Sequence, residues 1–489
     1  MTADAMALDQ FAERSDRFMA WLAAHDGFRV SDKIALVDMR AEKQGRAVVA
    51  AADVAEGEVL FSLPRTALLT VENSGLAARI PELAGLGAWV ALIVAMLAES
   101  GPGSRWAPYF DVLPTEFTLP MFWTDAELAE LAGTTVLDKI GKDEAEETYR
   151  SVVAPLVARH ADVFAGVDTS LAAFHRMGSL ILSYSFDLER NPGGEEEEVA
   201  EEAEAEEEAE EEAEEDAEAG AGAAGPPPAE AASDAGDDDE ADFIKAMVPL
   251  ADMLNGDSDL NNAKLFYTPT NLEMRAIAPI PAGAQVYNTY GDLPNADLLR
   301  RYGYVRPGKT ANDVVEIGAD AILKIAGAEL NEANLQKRID FLTDVGEAND
   351  EYILDETYEL ACESPAVPLE ALLLTYVLQL SAPEFRALKK AEPTALFEVP
   401  RRALKTEAAQ EAWLQILAAK AAEYPTDIVT DENLRFDTAL GFNVHNAIEV
   451  RLSEKRILDR AARAVRDWKL AAGKKRKAAA GSRPAKRVR

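Results

Sequence analysis

The 489-residue chain has a single cysteine, Cys362, which excludes an internal disulfide framework and any zinc centre built from cysteines. Histidine is almost as scarce. His25, His160, His175 and His445 share no ligand spacing, so no metal centre is expected. Long apolar runs are missing too: the most apolar stretch, 88–98, is about half the ~20 residues that a membrane span needs, and it reads as a buried helix. The first residues carry Asp4, Asp9 and Glu13 and no long apolar core, which is unlike a secretory signal. A soluble intracellular protein with no membrane partner is expected.

Positive charge is the next shortage. Acids number 87 against 49 bases, a formal net charge of −38, but the imbalance is uneven. Residues 195–240 hold 23 acids and no base, while 471–489 hold eight bases and no acid. The remaining body is still acidic, near −23. Such a surface repels phosphate, so no specific nucleic-acid partner is expected.

What is present reads as a mixed domain followed by a helical one. Phe11, Phe18, Trp21 and Leu22 share one helical face. Short strands are expected at 48–50 and 59–63, separated by Glu56-Gly57 and closed by Pro64. A buried helix follows at about 85–98, then a capping box at Thr124 and Glu127, and helices at 142–160 and 168–190. Asn191-Pro192-Gly193-Gly194 opens the acidic segment, whose crowded carboxylates and lack of an apolar face imply a disordered insertion. Strands resume at 263–268, 272–277 and 285–289, so the insertion interrupts a domain and does not separate two. Past Val305 the pattern is helical, clearest at 330–342, 369–380 and 408–422, and no solenoid repeat occurs.

Several blocks then carry a resemblance. They are Gly45-Arg46-Ala47-Val48-Val49-Ala50 with Gly57-Glu58-Val59-Leu60, and Ser104-Arg105-Trp106-Ala107-Pro108-Tyr109 with Leu113-Pro114. Leu119-Pro120, Phe122-Trp123 and Glu127-Leu128 follow. Val248-Pro249-Leu250-Ala251-Asp252-Met253-Leu254-Asn255 comes next, and some 30 residues on stand Asn288-Thr289-Tyr290-Gly291 and Arg301-Tyr302-Gly303-Tyr304-Val305. Together with Arg451–Leu458 they resemble the SET-domain protein methyltransferases of the Rubisco large-subunit methyltransferase class, over roughly 20–470 without the acidic insertion. The wording of 251–255 and 288–291 is most similar to the fungal ribosomal lysine methyltransferases and their animal relatives.

The resemblance implies an α+β fold. An N-terminal helix (1–24) would precede a SET domain of short-stranded sheets (25–305), with a helical insertion at about 115–190 and the disordered acidic insertion at 191–240. An all-α substrate-binding domain (306–470) and a basic tail (471–489) would follow. It further implies S-adenosyl-L-methionine as cofactor and a lysine-containing protein, favourably a ribosomal one, as substrate. By the same resemblance Tyr290 is the catalytic tyrosine and also touches the cofactor. Ser183, Tyr184, Phe186, Asp252 and Tyr302 would line the lysine channel. Asn255 and Gly256 would hold the cofactor's polar and adenine ends, and Arg46 and Ala47 would lie along it through their main chain. Three positions depart from the family: Gly256 stands for a histidine, Ala47 for a glycine, and Tyr184 for an arginine associated with the cofactor's carboxylate. Other readings are a histone-lysine or protein-histidine methyltransferase, or a catalytically silent SET fold acting as an acidic nuclear scaffold.

Two charged segments complete the reading. Lys474-Lys475-Arg476-Lys477 and Lys486-Arg487-Val488-Arg489 resemble a two-part signal for a nuclear import receptor, which predicts a nuclear protein. The acidic insertion reads as a soluble spacer, with long-range steering of lysine-rich substrates as the alternative.

Overall fold

The computed structural model describes residues 3–42, 44–101, 103–189, 243–308, 310–349, 353–362 and 367–470. The acidic insertion and the basic tail lie outside the described residues. The chain divides into two compact units. The first is built from residues within Met1–Phe122, Ile140–Leu293 and Arg300–Gly303, the second within Trp123–Lys139, Pro294–Leu299 and Tyr304–Arg489.

The strands of the first unit are short, two to six residues each, because turns interrupt its apolar stretches within a few positions. An antiparallel sheet runs in the order β1 (Arg29–Val30), β4 (Val59–Pro64), β9 (Asn271–Ala276), β8 (Ala263–Tyr267). β2 (Ile34–Asp38) pairs antiparallel with β3 (Arg46–Ala50), and β5 (Ser185–Glu189) with β6 (Phe243–Met247). A short parallel pair joins β7 (Asn255–Gly256) to β10 (Tyr287–Asn288). The helix Gly87–Glu99 buries every residue from Ala91 to Leu97, as its unbroken apolar run requires, while Trp89 in its first turn is exposed. Helix α1 (Ala3–Ala23) buries Phe18 and Leu22 in the same core, and Trp21 stacks on Tyr109.

Two expectations need correction in detail. The helix expected over 168–190 ends at Tyr184, and Ser185–Glu189 is strand β5, because Phe243–Met247 supplies a partner for its backbone. The apolar run 180–186 fits either period, and the partner lies more than 50 residues away in sequence. Of the strand expected at 285–289, only Tyr287–Asn288 is paired as a strand, with Gln285 making an isolated bridge to Val49.

The second unit is helical, with one antiparallel ribbon added, β11 (Val314–Gly318) on β12 (Thr357–Ala361). That ribbon alternates buried Val315 and Ile317 with partly exposed neighbours, a pattern too short to stand out between helices. Trp413 is fully buried and its indole donates to Thr375 Oγ1 at 3.0 Å. The capping box at Thr124 and Glu127 is formed. The block Arg451–Leu458 is largely internal. Arg451 is fully buried and donates to both oxygens of Asp431 at 2.9 Å, and it also reaches the Glu130 carboxylate. Lys455 Nζ adds a third cationic contact to Asp431. Glu454 accepts from Tyr424 at 2.7 Å and Thr135 at 3.0 Å, and burial pushes its carboxyl up to about 7 against these donors. The charged wording of this block therefore serves the interior of the unit.

Candidate active site

A cavity of about 420 Å³ opens in the first unit, within the size range of small-molecule sites. Its wall collects side chains from distant parts of the sequence: Phe11 and Arg14 of α1, Arg40 and Arg46 about the β2–β3 turn, and Asp111–Thr115 after the helix Ala107–Phe110. Tyr184, Asp252, Met253, Asn255 and Tyr290 complete it. A second hollow of about 550 Å³ shares Arg40 and Gly45 and adds Glu116, Phe117 and Thr118.

Backbone geometry brings these groups together. Leu250 has φ 78° and ψ −41°, the only described non-glycine residue with positive φ, close to the strained geometry of a tight γ-turn. It leads into the turn Ala251–Met253, after which β7 runs beside β10 with Asn255 opposite Tyr287 and Gly256 opposite Asn288. Tyr290 follows two residues later. Its ring stacks on Tyr302, centroids 4.3 Å apart and planes 14° from parallel, and its hydroxyl donates to the Leu254 carbonyl at 3.1 Å. Gly256 lies against the other side of this arrangement: a Cβ there would sit 2.5 Å from ring carbons of Tyr290. In this chain a side chain at position 256 would therefore press on the tyrosine ring.

Asp252 is 7% exposed, and Tyr109 donates to its Oδ2 while its Oδ1 has no hydrogen-bond partner. Burial pushes the carboxyl up to about 7, opposed by the Tyr109 hydroxyl. Burial and then the charge of Asp252 raise the Tyr184 hydroxyl to about 12, and burial with the same charge raises Tyr109 well above the ordinary phenol range. Neither tyrosine ionises near neutrality. Asn255 Nδ2 donates to Gln285 Oε1 at 2.6 Å, and Gln285 Nε2 donates to Gln44 Oε1 and the Tyr287 hydroxyl, each at 2.9 Å. This chain of amides fixes the Asn255 side chain.

The arginines form a cluster of their own. Phe11 carries the Arg40 and Arg46 guanidiniums 4.1 and 3.9 Å from its ring centre. Arg40 is bonded to both oxygens of Asp38. Arg46 donates through Nε to Ser15 Oγ at 3.1 Å and through Nη1 to the Val112 carbonyl at 2.7 Å. Burial, then repulsion from Arg14 and Arg40, lowers its guanidinium to about 10.

Of the residues named from the sequence, Arg46, Tyr184, Asp252, Asn255 and Tyr290 line this one cavity, while Tyr302 and Gly256 contact Tyr290. The others are placed differently. Ala47 is fully buried opposite Val37 in the β2–β3 pair, Phe186 is half-buried opposite Ala246, and Ser183 Oγ donates to the Arg301 carbonyl at 2.5 Å. Phe11, Arg14, Tyr109 and Gln285 were not singled out as site residues: Phe11 was read only as part of an apolar helical face, Gln285 only as the start of a strand, and Tyr109 only within the block Trp106-Ala107-Pro108-Tyr109. Among the described residues no group of three His, Cys, Asp or Glu side chains is placed to hold a metal ion, and no helix is long and apolar enough to cross a membrane.

Comparison with known proteins gives the family and the fold. A family model for the Rubisco LSMT substrate-binding domain matches residues 329–458. Ribosomal lysine N-methyltransferase 4 of Saccharomyces cerevisiae is 31% identical over 451 residues, covering 86% of this chain and 84% of that protein. N-lysine methyltransferase SETD6 of Bos taurus is 30% identical over 476 residues, 91% of this chain and 93% of the relative. Among solved structures, the SET domain of LSMT bound to lysine and AdoHcy superposes with a TM-score of 0.66 at 18% identity, covering 93% of this chain and 91% of that one. Rubisco LSMT bound to AdoMet gives 0.65 at the same identity and coverage.

Proposed function

The chain belongs to the SET-domain protein-lysine N-methyltransferases, and from that premise we propose that its 420 Å³ cavity is where a methyl group passes from S-adenosylmethionine to a lysine of a ribosomal protein. The observation that carries this reading is the convergence of Tyr290, Asn255, Asp252, Tyr184 and Arg46 on one cavity from four distant parts of the sequence. The cavity suits the cofactor in size and in donor set. Asn255, with its amide oriented by Gln285, and Arg46 offer polar contacts, and the Tyr184 ring on the cavity wall suits a sulfonium.

The cofactor would supply an electrophilic methyl group: the neutral lysine amine would attack its carbon in line as the C–S bond breaks, S-adenosylhomocysteine would leave, and the lysine would give up one proton. A lysine with ordinary pKa must spend about 4–5 kcal/mol to be neutral at pH 7. A channel lined by Tyr290, Tyr302 and Tyr184 strips water from the ammonium and lowers that cost by desolvation. Tyr290, fixed between Tyr302 and Gly256, holds the approach geometry, and orientation of this kind contributes several kcal/mol. None of these tyrosines needs to act as a base.

The ribosomal substrate is supported by the likeness to the yeast ribosomal lysine N-methyltransferase. Transfer of labelled methyl into unmethylated 60S ribosomal proteins tests it, wild type against Tyr290→Phe. Label on one protein, lost in the variant, is the expected result. Label on histones or on a histidine, identified by mass spectrometry, would replace the ribosomal reading. No label together with no binding of S-adenosylhomocysteine would favour a silent scaffold. We also assign nuclear import to the basic segment 474–489. A fluorescent fusion in which 474–477 and 486–489 are replaced by alanine should lose nuclear accumulation, and an unchanged distribution would refute it.

A further inference from the structure

We propose that Arg14 and Arg46 together form the carboxylate site for the amino-acid end of S-adenosylmethionine. The assignment rests on the cavity being the cofactor site proposed above. A ligand with one carboxylate and a cationic sulfonium needs a cation at one end and aromatic or anionic groups around the other. Residue 184, a tyrosine, offers no cation. The cavity wall has three: Arg14, Arg40 and Arg46.

Their bonding separates them. Arg40 is ion-paired: its Nε and Nη2 donate to the two oxygens of Asp38, so its charge is already matched. Arg46 uses Nε and Nη1 on neutral oxygens of Ser15 and Val112, which leaves Nη2 without an acceptor among the described residues. Arg14 makes no ion pair or hydrogen bond among the described residues. The carboxylates of the region are engaged elsewhere: Asp111 lies 3.4 Å from Arg17, and Asp252 takes its bond from Tyr109. Two cations therefore share a concave wall without an ion pair of their own among the described residues, although the Asp38 carboxylate, bonded to Arg40, also acts on Arg46 from beyond contact distance. Both side chains line the same cavity, and among neighbouring charges Arg14 repels Arg46 most. A carboxylate would relieve that repulsion and accept charge-assisted hydrogen bonds, the stronger class.

Calorimetry on the full chain tests this, with S-adenosylhomocysteine and with its decarboxylated counterpart, S-adenosyl-3-thiopropylamine. Wild type should bind the first more tightly. Arg14→Gln removes a side chain that holds nothing else in place. Arg46→Lys keeps a charge but loses the planar fork. Each should weaken S-adenosylhomocysteine by about tenfold or more and leave the decarboxylated compound within about twofold. Equal weakening of both compounds, or of neither, in a variant that melts like wild type would overturn the carboxylate assignment while leaving the cavity as the cofactor site. Failure of wild type to bind either compound would overturn the cavity reading itself, and the arginine site with it.

Discussion

Replacing Gly256 by alanine would place a methyl carbon 2.5 Å from Cγ and Cδ2 of Tyr290 and 2.6 Å from Cε2. Carbon atoms in good contact lie about 3.5–4.0 Å apart, so the ring would have to retreat by about 1 Å. It cannot do so cheaply, because Tyr302 stacks on it and its hydroxyl is bonded to the Leu254 carbonyl. Overpacking of this kind costs about 1–3 kcal/mol in stability. A displacement near 1 Å at a reacting centre costs on the order of 10²-fold in rate. Gly256→Ala should therefore lower kcat for methyl transfer by about two orders of magnitude with a modest fall in Tm. Affinity for S-adenosylhomocysteine, measured by calorimetry, should change by less than about threefold, because the new methyl faces the tyrosine. A folded variant with wild-type kcat would refute the coupling between Gly256 and Tyr290. Lost nucleotide affinity with kcat intact would mean that the methyl enters the nucleoside site.

Other consequences can be measured directly. Asp252, raised to about 7 by burial against the Tyr109 hydroxyl, binds its proton more tightly folded than unfolded. The stability it lends is complete below about pH 4 and lost as pH rises through about 7. Asp252→Asn keeps an acceptor for Tyr109, so its unfolding free energy relative to wild type should rise by about 1–4 kcal/mol between pH 4 and pH 8, and a pH-independent difference would contradict this. Asp431→Ala strands the buried cations Arg451 and Lys455 and should cost about 3–5 kcal/mol in denaturant unfolding; a loss under about 1 kcal/mol would show that the network does not hold the second unit together. Deleting 195–240 should weaken methylation of a lysine-rich substrate at low salt and not at high salt if the acids steer encounter, whereas unchanged kinetics would leave them a spacer.

How much was legible depended on the range of the interactions. The strands around Val48 and Leu60 and the capping box at Thr124 rest on neighbours in sequence, and they were readable. Ser185–Glu189 was misread as helix because its partner stands beyond the acidic insertion. The ribbon Val314–Gly318 was missed for the same reason, its partner lying some 40 residues on. In the cavity, Tyr290 and Asn255 were marked by distinctive blocks. Phe11 and Arg14 were not, since a helical face shows which residues are apolar but not which cavity the rim of that face meets. Tyr109 was visible within a motif, yet its bond to Asp252 spans 143 positions and exists only in the folded chain.

The pairing of β5 with β6 has a consequence for how the chain can vary. Glu189 stands opposite Phe243 in the register, so the 53 positions between them leave and return at adjacent points of one ribbon. Such a segment is a cassette. Doubling its length adds only about 0.6 kcal/mol of closure entropy, and shortening it to a two-residue turn asks nothing of the ribbon below. Natural lengthening, trimming or replacement by a foreign sequence at this port can therefore alter what surrounds the enzyme while Tyr290, Asp252 and Arg46 keep their places.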